Sequence, residues 1–137
     1  MARTTLTAVQ LPGVGGASAT LVAPDATNGN IVASPGPFKA LIVITNSGSS
    51  ASLYVRASGY QGTPTGAVNS GYVTDQYQPF ATASIGDLTV TLAASETTAV
   101  SLVQDVGRFT QADGSMWLDW STASGLTVAV YQELYMP

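Results

Sequence analysis

The last third of the chain most limits what it can fold into. Between Asp87 and Leu134, apolar and polar residues alternate in four short runs: DLTVTLA (87–93), TTAVSLVQ (97–104), SMWLDWS (115–121) and LTVAVYQEL (126–134). The turn-forming stretches AASE, QADG and STASG part them. Residues two apart on an extended chain face the same side, so each run reads as a strand with one buried face. Leu88, Val90 and Leu92 make one inward row and Leu126, Val128 and Val130 another. In SMWLDWS, Met116, Leu118 and Trp120 share a side opposite Trp117 and Asp119.

Upstream, FKALIVITN (38–46) is apolar on both faces, with Phe38, Ala40, Ile42 and Ile44 on one and Leu41 and Val43 on the other. Such a strand calls for cover on both sides. After the turn SGSS (47–50), SLYVRAS (52–58) points Leu53, Val55 and Ala57 inward and Tyr54 and Arg56 outward, which predicts a hairpin with the strand before it. Residues 59–86 are rich in Gly, Pro and aromatics without sustained alternation and read as a long excursion, with a short strand near Tyr72–Thr74. Residues 1–37, punctuated by GVGG, PDATNGN and PGP, keep only the short alternations Leu6/Val9/Leu11 and Leu21/Val22. The expected organisation is an extended N-terminal arm over 1–37 with one or two short strands, separable from a sandwich over 38–137. Six or more strands joined by short polar turns favour an all-β fold, an antiparallel β-sandwich of jelly-roll or Ig-like topology.

Composition agrees. The chain has 17 Thr and 14 Val against two Glu and one Lys, so exposed helix faces have little to be made of. Charged residues are 9% of the 137, where about 25% is usual, which leaves a neutral surface. Cys and His are both absent, and with them go disulfides, thiolate nucleophiles, imidazole bases and most transition-metal sites. Four Lys and Arg face eight Asp and Glu, so neither nucleic acid nor an anionic membrane is expected as a partner. The first sixteen residues contain no unbroken apolar stretch of the signal-peptide kind, and no run approaches the roughly 18 apolar residues of a helical membrane span.

Catalytic patterns fail one by one. GVGG is not a dinucleotide fingerprint, Lys39 follows no phosphate loop, and neither a nucleophile elbow nor an SxxK pair occurs. Asp87, Glu96, Asp105, Asp113 and Asp119 sit near strand ends and turns, where Asp is a turn former. Asp25, Asn28 and Asn30 make an oxygen-rich loop without calcium-loop spacing, which Asx-turn chemistry explains. No enzyme activity, cofactor or metal is expected. The aromatics remain as a handle, since rings supply large contact area at low entropy cost. Trp117 is either an interface ring or a residue packed under a loop or under the N-terminal arm.

The stretches TNSGSSASLYV (45–55), DLTVTLAASETTAV (87–100) and GRFTQADGSMWLDWSTASGLTVAVYQ (107–132) resemble small β-sandwich proteins of tailed-bacteriophage capsids, the head decoration or minor capsid proteins. Phage tail proteins and bacterial adhesion modules share these textures. The resemblance covers roughly residues 38–134 and transfers no individual functional residue. It implies a virion protein, made in the host bacterial cytoplasm, that binds the outer surface of the major capsid protein shell without catalysis, often as a trimeric homo-oligomer. Candidate interface residues are Leu6, Val9 and Leu11 in the arm, together with Tyr54, Tyr72, Tyr77 and Trp117. The alternative is a carbohydrate-binding module stacking sugars on Trp117, Tyr60, Tyr72 and Tyr77.

Overall fold

The computed structural model describes residues 2–12, 14–33, 38–57, 86–101, 106–111 and 113–134. They form nine strands: β1 (Thr4–Leu6), β2 (Ala8–Gln10), β3 (Asn30–Val32), β4 (Phe38–Asn46), β5 (Ala51–Val55), β6 (Leu88–Leu92), β7 (Thr97–Ser101), β8 (Met116–Trp120) and β9 (Leu126–Leu134). One 3-10 turn, Val106–Phe109, is the helical element among the described residues. A five-stranded sheet has the order β1-β3-β8-β5-β6 and a four-stranded sheet the order β2-β9-β4-β7. The strand expected near Tyr72–Thr74 and the end of the 97–104 run lie outside the described residues.

Alternation places the core between the sheets. Ala40, Ile42 and Ile44 of β4 meet Leu53 and Val55 of β5, the Met116, Leu118 and Trp120 row of β8, and Leu126, Val128 and Val130 of β9, all buried. The outward side of β4 is only half-buried at Leu41 and Val43. Trp120 brings a polar atom into this layer, and its indole N–H donates to Asn30 Oδ1 at 2.8 Å. The same buried oxygen accepts the Asp25 N–H at 2.9 Å, while Asn30 Nδ2 donates to the Thr4 carbonyl at 3.1 Å. One asparagine thus joins β1, β3, β8 and the 25–30 loop, and leaves no buried donor unpaired at that point.

Three expectations are corrected. The sheets are mixed, because β1 runs parallel to β3 and β2 runs parallel to β9. Between these ladders the chain passes back once, where Val22 bridges Val128 antiparallel. Nor do β4 and β5 form a hairpin. They belong to different sheets, and every connection except that from β5 to β6 crosses from one sheet to the other. Asn46 organises the crossing, since its Nδ2 donates to the carbonyls of Ser49, Leu92 and Ala93 and its Oδ1 accepts the Gly48 N–H. Finally, residues 1–37 supply three strands, β1 and β2 at the edges of both sheets and β3 inside one. Ladders of β3 with β8 and of β2 with β9 tie the segment to both sheets.

Candidate functional site

The outward side of the five-stranded sheet gathers the chain's ionic chemistry. Register sets Tyr54 of β5 opposite Asp119 of β8, and Trp117 opposite Ile31 of β3. Arg56 follows β5 and Arg3 precedes β1 on the same side. The two arginines converge on Asp119: Arg3 Nη1 and Nη2 donate to its two carboxylate oxygens, and Arg56 Nε donates to Oδ2 at 2.7 Å. Arg56 Nη1 continues to Asp87 Oδ2 at 2.9 Å, and Asp87 Oδ1 accepts the Ala57 N–H at 2.6 Å. Arg56, Asp87 and Asp119 side chains are fully buried and that of Arg3 nearly so. Alternation predicts an outward Arg56, which it is, yet the outward side is covered there.

The charges of this network offset one another. A buried carboxylate held by guanidinium groups is an ion pair whose partners satisfy one another, and removing either leaves a costly bare charge. Gly29 makes the convergence possible. It has φ +75°, and a Cβ on it would collide with Arg3 Nη1 and Asp119 Oδ1. Arg108 donates from Nε and Nη2 to the Gly86 carbonyl at 2.8 and 2.6 Å and lies over the Phe109 ring.

Trp117 is half-buried, with the Arg3 guanidinium 4.5 Å from its ring centroid. One ring face is therefore occupied by a cation from the N-terminal segment, and its Nε1 is buried without a hydrogen bond. Tyr54 is also half-buried, with Arg56 5.1 Å from its ring. Leu6 is 5% exposed and belongs to the core. Val9 and Leu11 remain half-exposed. Beside them the 11–22 connection carries the exposed apolar residues of the described chain: Val14 at 96%, Leu21 and Val22. Where the chain changes sheet, a neutral cavity of about 350 Å³ opens between Thr5, Thr7 and Val9 on one wall and Ser18, Thr20 and Val22 on the other. Tyr60, Tyr72 and Tyr77 lie outside the described residues.

The remaining acids are engaged locally. Asp25 Oδ1 accepts the N–H groups of Thr27 and Asn28, and Oδ2 accepts the Thr4 hydroxyl and Asn28 Nδ2. These donors, the Thr4 hydroxyl first, hold its carboxyl below the ordinary value. Ser115 does the same to Asp113, with its hydroxyl and its N–H both on Oδ1. Glu96 is exposed, and Asp105 lies outside the described residues.

Sequence reasoning missed the whole network: Asp87 and Asp119, read as turn formers, are buried ion-pair partners, and Arg3 and Arg56 were not read as their cations. A signal was present: in a chain with four basic residues, Arg56 and Asp119 both stand at outward positions of strands that prove adjacent. No family model, no curated protein and no solved structure matches the chain.

Proposed function

We propose that the chain is a structural virion protein that decorates or cements a bacteriophage capsid by binding the outer surface of the major capsid protein shell, and that it has no catalytic role. The observation that carries this reading is where the charges go. Arg3, Arg56, Asp87 and Asp119 neutralise one another out of solvent, Arg108 is held on a carbonyl, and Asp25 and Asp113 accept hydrogen bonds within their own turns. Apart from the exposed Glu96 and Asp113, what the described residues turn outward is Thr, Ser, Ala, Val and half-buried rings, a surface with little charge to desolvate on packing against a repeated neighbour.

We read the topology as a jelly roll. Eight strands of a jelly roll lie in two sheets of order 1-8-3-6 and 2-7-4-5, and the strands from β2 to β9 supply that order as β2-β9-β4-β7 and β3-β8-β5-β6. The departure is β2, parallel to β9 where a jelly roll is antiparallel; the antiparallel contact on that edge is Val22 with Val128. Jelly rolls build both viral capsids and lectins, so the fold alone does not choose between them. The Arg3 cation covers one face of Trp117, which leaves only the other for a stacking sugar.

Imaging purified phage heads with added protein by electron cryomicroscopy tests the proposal. Added density at repeated positions on the outer shell is expected. Bare heads, together with retention of the protein on a glycan array, would replace this reading with the carbohydrate-binding one.

A further inference from the structure

We propose that β6 is a homodimerisation edge, on which a second copy of this chain adds its own β6 antiparallel about a twofold axis through Val90. The inference goes beyond capsid binding and does not rest on it.

β6 closes the five-stranded sheet on one side. It pairs with β5 and, apart from the Asn46 amide on the Leu92 carbonyl, makes no other hydrogen bond among the described residues. Natural sheet edges are normally blunted by charges, proline or bulges, since a bare row of N–H and C=O groups templates another strand. The strand Leu-Thr-Val-Thr-Leu has neither charge nor proline. The nearest charge, Asp87, is turned into the ion pair with Arg56.

The outer backbone row of β6, unpartnered among the described residues, calls for an extended strand, and the sequence specifies which one. Leu88-Thr89-Val90-Thr91-Leu92 reads the same in both directions. In an antiparallel pair centred on Val90, Leu88 meets Leu92, Thr89 meets Thr91 and Val90 meets its own copy. Apolar residues then meet on the core side and threonines on the outer side, and Thr–Thr pairs directly opposite are favourable. Leu88 and Val90 pack on the core yet stay half-exposed in the single chain, as side chains at an unfinished edge do, and Thr89 and Thr91 are exposed. A second β6 would complete the burial of both apolar residues and extend the sheet from five strands to ten. Such a joint is twofold, unlike the trimer that the resemblance implies.

The register can be tested with charges. Thr89→Lys with Thr91→Lys places lysine against lysine twice across the joint, whereas Thr89→Lys with Thr91→Glu places lysine against glutamate twice. Both positions are exposed, so neither pair disturbs the core, which matching circular dichroism and melting curves would document. By analytical ultracentrifugation of the isolated protein, without capsids, the wild type is expected at twice the 14.0 kDa of one chain. The Lys/Lys variant is expected at 14.0 kDa, and the Lys/Glu variant again at twice that mass. A monomeric wild type at about 100 µM, well above the micromolar range of ordinary association, would overturn the proposal. So would a Lys/Lys variant that keeps the wild-type mass, or a Lys/Glu variant that stays monomeric when Lys/Lys does.

Discussion

Arg3 reaches Asp119 across the bare Cα of Gly29, so an ion pair spanning 116 residues of sequence depends on a position that carries no side chain. Gly29→Ala should therefore cost more than the roughly 1–2 kcal/mol of a left-handed alanine, because the new methyl group occupies the place of the Arg3 nitrogen. Adding Arg3→Ala to Gly29→Ala should then destabilise less than the sum of the two changes, since the clash with Arg3 is gone and only that with Asp119 Oδ1 remains. Urea unfolding of the four proteins in this cycle measures the coupling.

Asp119 is the shared anion of two guanidinium groups, one from the N-terminal segment and one from beyond β5. Asp119→Ala should lower stability by about 3–5 kcal/mol, the cost of removing one partner of a buried ion pair. Deleting residues 1–12 should do at least as much, because it strips an edge from both sheets and removes Leu6 from the core. Thermal melts of the truncated protein check this, and a truncated chain as stable as the full one would show the segment to be a loose arm after all.

The turn after β4 and the turn before β9 touch through glycines. Gly125 has φ +75°, and a Cβ on it would lie 2.7 Å from the Gly48 nitrogen, while Ser47 N–H donates to the Gly125 carbonyl at 2.8 Å. Gly125→Ala should push these turns apart and destabilise by about 1–3 kcal/mol, the range for overpacking. Gly16, with open space around it, serves as the control and should accept alanine with little change in melting temperature.

That contact also shows what was legible in the chain and what was not. Facing was readable: the rows of β6, β8 and β9 lie on the sides that alternation assigns them, because a period of two is a local property. Partnership was not. SGSS looks like a hairpin turn, yet Asn46 and the Gly48–Gly125 contact carry the chain into the opposite sheet, and nothing within ten residues of SGSS announces the residues it meets. The strands TTL and AVQ of the N-terminal segment are three residues each, too short for a pattern, and owe their place to ladders with β3 and β9. At the candidate site, the faces of Trp117 and Asp119 were legible, while the Arg3 that covers one and binds the other lies more than a hundred residues away. SGSS and STASG, which lie within the stretches that carry the phage resemblance, form the two ends of this turn contact.

Asp25 links stability to pH. Hydrogen bonds from the Thr4 hydroxyl, then from Asn28 and Thr27, hold its carboxyl below the ordinary 3.8. A depressed folded value means that its stabilisation is fully present above the unfolded value and is lost as pH falls through the folded one. Asp25→Ala should thus melt below the wild type at pH 6 to 7, with the gap narrowing as pH drops under about 4. Melting curves across that range test it, and a gap independent of pH would assign the role of Asp25 to backbone geometry alone.

The central claim is that this neutral surface binds a capsid exterior. Co-sedimentation with purified phage heads lacking the protein, at micromolar concentration and in low and high salt, tests it most directly. Contacts made by uncharged residues are little screened, whereas charge-driven contacts fade once the screening length falls to about 3 Å near 1 M salt. The account predicts saturable pelleting with the heads that persists undiminished in about 1 M salt. Protein that stays in the supernatant at both salt concentrations would contradict it.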